Sequence, residues 1–225
     1  HTAALPLAKL ENLNTDEAKL GSVDSTVNLL DSITLVQNIK KNYRCKRFIY
    51  ISSSMVYGDF KTNKVNETSP VNPKEAYGTM KLAGEIITKG ISKLNNIPYT
   101  IIRPSAVYGP TDMNRRVSQI FIENAFEDKL IEIEGKNEKL DFTFIEDLAK
   151  GCVLAGIKKQ GINQIFNITY GKGQSLYSYV LNLKKLIPNL NYKIKPRDET
   201  KPSRGTLSIA KAKKLLGFKP KFSLK

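Results

Sequence analysis

The chain has 225 residues, a formal net charge of +15 and a hydrophobic fraction of 40%, which is enough apolar content for one large folded domain or two small ones. Its basic residues are scattered, with no arginine-rich arm and no zinc-finger spacing. We therefore expect a basic surface that attracts a phosphate-bearing substrate, and no nucleic-acid partner. No apolar run approaches the roughly 18 residues of a membrane span, so neither a membrane segment nor a signal peptide is expected.

The two cysteines, Cys45 and Cys152, stand far apart and in no motif, which favours reduced thiols and a cytoplasmic protein. His1 is the single histidine of the sequence. A Ser-His-Asp hydrolase needs a histidine base, and a histidine-based zinc site needs several ligands. The sequence therefore argues against both, and no metal site is predicted.

The apolar pattern predicts helices and strands that alternate along the chain. Helices are predicted over 19–42, 74–95, 115–128, from about 146, over 174–187 and over 209–216, and strands over 48–51, 98–103, 131–133, 142–145, 165–168 and 192–194. Such alternation indicates an α/β fold with a doubly wound parallel sheet.

The helix predicted over 74–95 has an apolar face at regular helical spacing. This predicted core face consists of Ala76, Met80, Ala83, Ile87, Ile91 and Leu94. Tyr77 and Lys81 are expected to lie beside it, at its edge.

Three residue types that can move a proton occur in one stretch, Ser52 to Lys81. A predicted strand leads into three serines, and Tyr77 and Lys81 stand four apart, on one face of a helix. A phenol, with a pKa of about 10, is a poor base at neutral pH, but a nearby ammonium stabilises the phenolate and lowers that pKa. We therefore expect Lys81 to lower the pKa of Tyr77, Tyr77 to accept a hydroxyl proton, and Ser53 to hydrogen-bond the substrate oxygen.

Five segments carry a resemblance to a known family. In chain order they read HTAA, SSSMVYG, YGTMK, RPSAVYGP and LDFTFIEDLAKG. In this order and spacing they resemble the extended short-chain dehydrogenases/reductases, and among these the NAD-dependent epimerase/dehydratase family, in its UDP-glucose 4-epimerase-like branch. The resemblance covers nearly the whole chain. It implies a Rossmann-like sheet that binds NAD, with NADP left open, and a smaller C-terminal substrate lobe.

The resemblance also implies roles for individual residues. Ser53, four residues before Tyr57, takes the position of the catalytic serine. Tyr77 takes that of the base, and Lys81 that of its partner, which also holds the nicotinamide ribose. The cofactor-binding residues that the resemblance implies are His1, Ala3, Ala4, Ser52, Tyr77, Lys81, Pro104 and Ser105.

The chain departs from the family pattern in its cofactor half. The family begins with a strand and a Gly-rich turn, whose amides hold the pyrophosphate at a helix N-terminus. This part, including the residue that selects NAD or NADP, is expected to be missing here. The chain is therefore interpreted as a fragment that binds cofactor poorly by itself.

Positions on the substrate side depart from the pattern as well. Met55 stands where dehydratases and decarboxylases of the family usually carry an acid, which disfavours elimination. Ala106, Leu140 and Glu134 stand where an Asn, an Arg and an aromatic residue are usual. Guanidinium groups suit phosphate, so arginines elsewhere are expected to supply the phosphate contacts. The predicted substrate-binding set is Ser54, Met55, Ala106, Arg115, Arg116 and Arg204.

The sequence is thus interpreted as an NAD-dependent epimerase that acts on a sugar, in particular a nucleotide sugar, through a keto intermediate. A reductase or dehydrogenase, a sugar-nucleotide dehydratase, a non-catalytic dinucleotide-binding protein and an inactive fragment stay open as alternatives. The dinucleotide-binding domain is expected over 1–103 and 141–170, and the substrate lobe over 104–140 and 171–225. A homodimer is expected through the helices at 19–42 and 74–95.

Overall fold

The computed structural model describes residues 1–2, 15–40, 42–112 and 116–224. The helices are α1 (Thr15–Lys19), α2 (Ser25–Ile39), α3 (Ala76–Leu94), α4 (Val117–Phe126), α5 (Ile145–Ile157), α6 (Leu176–Leu186) and α7 (Ala210–Leu216). The strands are β1 (Phe48–Ile51), β2 (Lys64–Val65), β3 (Tyr99–Arg103), β4 (Val107–Tyr108), β5 (Ile131–Glu134), β6 (Lys139–Leu140), β7 (Thr143–Phe144), β8 (Gln164–Asn167), β9 (Gln174–Ser175), β10 (Tyr192–Lys195) and β11 (Thr206–Leu207). Within these described residues, no helix is both long and apolar enough to cross a membrane.

A parallel sheet in the order β1–β3–β8 forms the centre of the molecule. Alternate residues of β1 point to opposite faces. Phe48 and Tyr50 pack with residues of α2 and α3, whereas Ile49 and Ile51 pack with residues of α5 and α7. Helices therefore cover both faces of the sheet, which confirms the predicted α/β class with a doubly wound parallel sheet.

The predicted helices and strands are present, with bounds that differ by a few residues. The first predicted helix is interrupted, because a π-helical turn, Leu20–Asp24, joins α1 to α2. The structure also contains two-residue strands that the sequence analysis did not predict, since so short a segment shows no period. They are β2, β4, β6, β9 and β11.

The buried face of α3 is not the predicted one. Leu94, at one end of the predicted core face, is 81% exposed, while Ile87 and Ile91 pack only at the edge of the core. The residues that α3 buries are small or polar: Gly78, Lys81, Gly84, Glu85, Thr88 and Ser92. A Cβ at Gly84 would lie 2.1 Å from the Tyr50 hydroxyl oxygen. Because α3 lies this close to β1, its large apolar side chains have no room beneath it.

A second apolar core lies beside the sheet, around the parallel pair β5–β10 and helices α4 and α6. Its buried residues are Phe121, Ala125, Ile131, Ile133, Phe142, Leu176, Tyr179, Val180 and Leu190. All except Phe142 belong to the ranges expected for the substrate lobe.

The close approach of α3 can be tested with two Gly→Ala variants in the same helix. Gly84→Ala should lower the free energy of unfolding by about 1–3 kcal/mol, because the new methyl group overlaps the Tyr50 hydroxyl. Gly90→Ala should raise it by about 0.5–1 kcal/mol, because a Cβ at Gly90 meets no heavy atom within 4 Å. Urea unfolding of the two variants measures both; equal effects would contradict the packing described.

Candidate active site

The candidate site lies where β1 and β3 end. The three serines, Ser52–Ser54, follow β1, and Pro104 and Ser105 follow β3. Backbone hydrogen bonds join the two segments, since the Ser52 amide donates to Ile102 O (2.8 Å) and the Ser54 amide to Pro104 O (2.9 Å). In open parallel sheets, ligands bind in the crevice at the carboxyl ends of the strands.

The structure brings Ser53 and Tyr77 together. The Ser53 side chain accepts a hydrogen bond from the Met55 amide (3.1 Å) and caps a short 3₁₀ turn over Ser54–Tyr57. It also lies near enough to the Tyr77 hydroxyl to lower the pKa of that phenol through a hydrogen bond. Gly78 allows α3 to approach this 3₁₀ turn, because a Cβ at Gly78 would lie 2.7 Å from Met55 O. The first turn of α3 therefore packs directly against Ser53 and the 3₁₀ turn Ser54–Tyr57, which together are called the serine turn below.

The electrostatics of Tyr77 differ from the prediction. Burial raises the pKa of Tyr77, and the charge of Arg116, the hydrogen bond from Ser53 and the charge of Arg204 only partly offset this. Lys81 is not among the groups that lower this pKa. Its ammonium lies 5.8 Å from the centre of the Tyr77 ring, where it contacts the π face.

Lys81 is a buried ammonium with little compensation from the protein. The residue is 5% exposed, and its Nζ donates to Ile51 O (2.8 Å). Within the described part of the chain it forms no ion pair with a carboxylate. Burial lowers the pKa of Lys81 to about 8. An ammonium has three donors, so Lys81 retains donors for a bound ligand.

Arg204 reaches the serine turn from the far end of the chain. Its Nη2 donates to Ser54 Oγ (2.5 Å) and to Ser105 Oγ (3.0 Å). Its segment is anchored nearby, because β11 pairs with β2 and the Ser203 amide donates to Asp59 Oδ1 (2.8 Å). The sequence analysis assigned Arg204 to the substrate, and the structure places its guanidinium between the two strand ends.

A buried ion pair beneath the site was missed in the sequence analysis. Glu85 accepts from Arg103 Nε (2.8 Å) and Nη2 (2.7 Å), and also from the Ser52 hydroxyl (2.6 Å). Glu85 and Arg103 are 0% and 2% exposed. Two features of the sequence could have revealed the pair. Glu85 continues the spacing of four from Tyr77 through Lys81, and an arginine inside an apolar strand requires an acidic partner.

Asp141 is a second buried acid that the sequence analysis did not single out. Its carboxylate accepts from the amides of Gly171 (3.0 Å) and Leu207 (3.0 Å) and from the Thr169 hydroxyl (3.2 Å). Burial raises the pKa of Asp141 to about 6. Because Leu207 lies in the segment that carries Arg204, Asp141 helps to hold that arginine in position.

The remaining predicted cofactor residues are placed as follows. Ser52 is 1% exposed and its hydroxyl donates to Glu85, so its side chain supports the site from beneath. His1 lies beside β1, where its carbonyl accepts from the Ile51 amide (3.3 Å) and its ring lies 5.8 Å from that of Tyr50. Ala3 and Ala4 lie outside the described residues.

The remaining predicted substrate residues are placed as follows. Met55 is 7% exposed and its side chain is buried. Ala106 has a φ of +37°, a backbone region that Asn enters more readily than Ala. Arg116 donates to Val107 O (3.1 Å) and acts electrostatically on Tyr77. Arg115 lies outside the described residues.

Comparison with known proteins places the chain in a family. The model of the NAD dependent epimerase/dehydratase family matches residues 3–169. The chain belongs to this family, as the resemblance of its motifs implied, and its sheet is of the Rossmann type.

Two curated relatives have related sequences. The "Putative UDP-glucose 4-epimerase" of Methanocaldococcus jannaschii is 32% identical over 90% of this chain and 67% of its own length. The uncharacterized UDP-glucose epimerase YtcB of Bacillus subtilis is 30% identical over 82% of this chain and 59% of its own length. The chain therefore spans about three fifths to two thirds of the length of these relatives.

Two solved structures are similar over the whole chain. The UDP-glucuronic acid 4-epimerase of Bacillus cereus, in complex with UDP-glucuronic acid and NAD, has a TM-score of 0.88 and 28% identity, and covers 100% of this chain and 70% of its own. The UDP-glucose 4-epimerase of Thermotoga maritima, solved with UDP-glucose, has a TM-score of 0.86 and 27% identity, and covers 100% of this chain and 72% of its own.

The buried ion pair can be tested by neutralising its acid. Glu85→Gln leaves Arg103 buried without a counter-charge and should lower the free energy of unfolding by about 3–5 kcal/mol. Glu132→Gln is the matched control, because Glu132 pairs with Lys193 and Lys195 at the surface, where an ion pair contributes about 0–1 kcal/mol. Chemical unfolding of both variants provides the comparison, and a loss for Glu85→Gln no larger than that of the control would contradict the assignment.

Proposed function

We propose that the chain is the catalytic part of an NAD-dependent epimerase that inverts C4 of a nucleotide sugar through a keto intermediate. The observation that carries this proposal is the meeting of Ser53, Tyr77 and the buried Lys81 in one cleft at the strand ends. The two curated relatives named as epimerases and the two solved 4-epimerases support the same reaction. A non-catalytic dinucleotide-binding protein would have no use for this combination.

The donors in the cleft fit a nicotinamide cofactor. Lys81 is buried with a single described acceptor and no carboxylate, so its free donors suit the hydroxyls of a ribose. Tyr77 lies beside it, and the Pro104–Ser105 backbone closes the adjacent strand end. NAD, when bound, supplies the acceptor that takes a hydride from the sugar carbon and returns it. His1, Ala3, Ala4 and Ser52 remain proposed neighbours of the cofactor on the basis of the resemblance alone.

The proton is handled by residues of this chain. Tyr77, as the phenolate, accepts the proton of the C4 hydroxyl when the sugar is oxidised, and gives it back when the keto group is reduced on its other face. Burial raises the pKa of Tyr77, and the positive charges of Arg116 and Arg204 oppose this rise by favouring the phenolate. Ser53 hydrogen-bonds to Tyr77 and holds the reacting oxygen beside it. The reaction is redox-neutral, because each turnover returns the hydride and the proton that it took.

The serine turn favours epimerisation over dehydration. Elimination across the sugar needs an additional acid or base next to the catalytic serine. The residues there are Ser54, Met55 and Val56, and all three are buried. Met55 therefore supplies only packing, and we place the dehydratase reaction second to epimerisation.

Substrate binding is assigned to the segments around Arg204. Its guanidinium, between Ser54 and Ser105, and that of Arg116 are suited to the phosphates of a nucleotide. Arg115 belongs to this proposed set on its sequence position, and Ala106 on its place after Ser105. The separate apolar core beside the sheet supports the division into a dinucleotide-binding domain over 1–103 and 141–170 and a substrate lobe over 104–140 and 171–225.

A homodimer through α2 and α3 is also proposed. Both helices expose large apolar residues, which a second copy of the chain would cover: Leu29, Leu35, Val36 and Ile39 on α2, and Ile86 and Leu94 on α3. The two cysteines are unpaired thiols, which agrees with the proposed cytoplasmic location.

The proposal is tested on the full-length protein with NAD, by NMR of products formed from UDP-, GDP- and dTDP-sugars. We expect a 4-epimer without net NADH. Tyr77→Phe should lower turnover by a factor of about 10² to 10⁴ while NAD stays bound. Tyr43→Phe, a matched change at an exposed tyrosine, should leave turnover unchanged.

Near-normal turnover in Tyr77→Phe would overturn the proposed proton acceptor. Steady accumulation of NADH would instead identify a dehydrogenase. A 4-keto-6-deoxy product would identify a dehydratase and contradict the reading of Met55.

A further inference from the structure

The proposed function leaves one strongly charged region unexplained. From Thr200 to the end of the sequence, eight residues are basic and none is acidic. The basic residues are Lys201, Arg204, Lys211, Lys213, Lys214, Lys219, Lys221 and Lys225. Only Arg204 belongs to the candidate active site.

The fold gathers part of this charge into a cleft. Helix α7 ends at Gly217, which has a φ of +69°, and the chain turns back so that Lys219 and Pro220 lie opposite the loop after β8. The cleft has a volume of about 440 Å³ and is lined by Tyr170, Lys172, Lys213, Lys219 and Pro220. Three of these five residues are lysines and none is an acid.

The three lysines of the cleft are not neutralised by a neighbouring carboxylate. Lys74, Lys193 and Lys201 form ion pairs with carboxylates at 2.7 Å. By contrast, Lys172, Lys213 and Lys219 form no ion pair with any carboxylate in the described ranges. Their positive charge is therefore available to a ligand.

Two buried carboxylates hold the walls of the cleft in place by accepting hydrogen bonds from backbone amides. Asp147 accepts from the amides of Lys221 (2.9 Å) and Phe222 (2.9 Å), and so fixes the segment after Pro220. Asp141 accepts from the amide of Gly171 (3.0 Å), between Tyr170 and Lys172. Both carboxylates are buried. The cleft therefore has a defined shape, and the oxygens of both carboxylates are directed at backbone amides of its walls.

We propose that this cleft binds a phosphate group of a small, multiply charged solute, at a site separate from the active site. Ammonium groups are compact point charges that suit phosphate, and Tyr170, a residue type that can donate a hydrogen bond, also lines the cleft. The volume accommodates one or two phosphate groups, whereas a nucleic acid needs an extended surface. The site does not depend on the epimerase reaction.

The test uses pyrophosphate and the ¹⁵N-labelled full chain. In a titration followed by amide NMR at low salt, the signals of Tyr170, Lys172, Lys213 and Lys219 should shift together and saturate. Binding should weaken as salt is added, because the contact is between charges. In the double variant Lys213→Gln/Lys219→Gln, the dissociation constant should rise roughly tenfold.

Lys184→Gln/Lys185→Gln is the matched control. It removes the same charge from the last turn of α6, outside the residues that line the proposed cleft, and it should leave the dissociation constant within about twofold. An equal loss in the two double variants would show diffuse attraction to a basic surface and overturn the proposal. Shifts confined to the residues around Arg204 would overturn it as well, since pyrophosphate would then bind in the active site alone.

Discussion

The close contact between α3 and β1 determines how the candidate active site is built. Gly84 allows the helix to meet the Tyr50 hydroxyl, and Gly78 allows its first turn to meet the backbone of Met55. Helix residues that face the sheet at this distance must be small, or must extend along the interface. Lys81 and Glu85 do the latter, so the interior of the fold contains two charges one helical turn apart.

The charges of Glu85 and Lys81 have different partners in the protein. Glu85 is matched by Arg103 and by the Ser52 hydroxyl, and this network joins the ends of β1 and β3 beneath the serines. Lys81 has a backbone carbonyl as its described acceptor and no carboxylate. An incompletely compensated charge costs stability, and binding sites commonly carry such a cost. We therefore regard Glu85 as the support of the site and Lys81 as a group that a ligand completes.

The sequence predicted which polar side chains meet at the strand ends better than it predicted their surroundings. The structure brings Ser53, Tyr77 and Lys81 together, as the motif spacing and the helical period that puts Tyr77 and Lys81 on one face indicated. The buried face of α3 was predicted wrongly, because apolar periodicity does not detect a helix face that packs through glycine and polar side chains. Burial raises the pKa of Tyr77, and the charge of Arg204, which joins the site from the far end of the chain, partly offsets this rise. Local sequence patterns do not predict such long-range contacts.

The pKa of Lys81 tests most directly whether the site contains a buried, incompletely compensated ammonium. NMR of a ¹³C-labelled lysine side chain, assigned with Lys81→Arg, should give a value of about 8, against an ordinary value of 10.5. Below pH 8 the folded and unfolded states both carry the proton, and the cost of burial is fully present. Between the two values the unfolded chain binds more protons, so stability should rise with pH. A titration of Lys81 near 10.5, with no such rise, would contradict the claim that the site contains a buried, incompletely compensated ammonium.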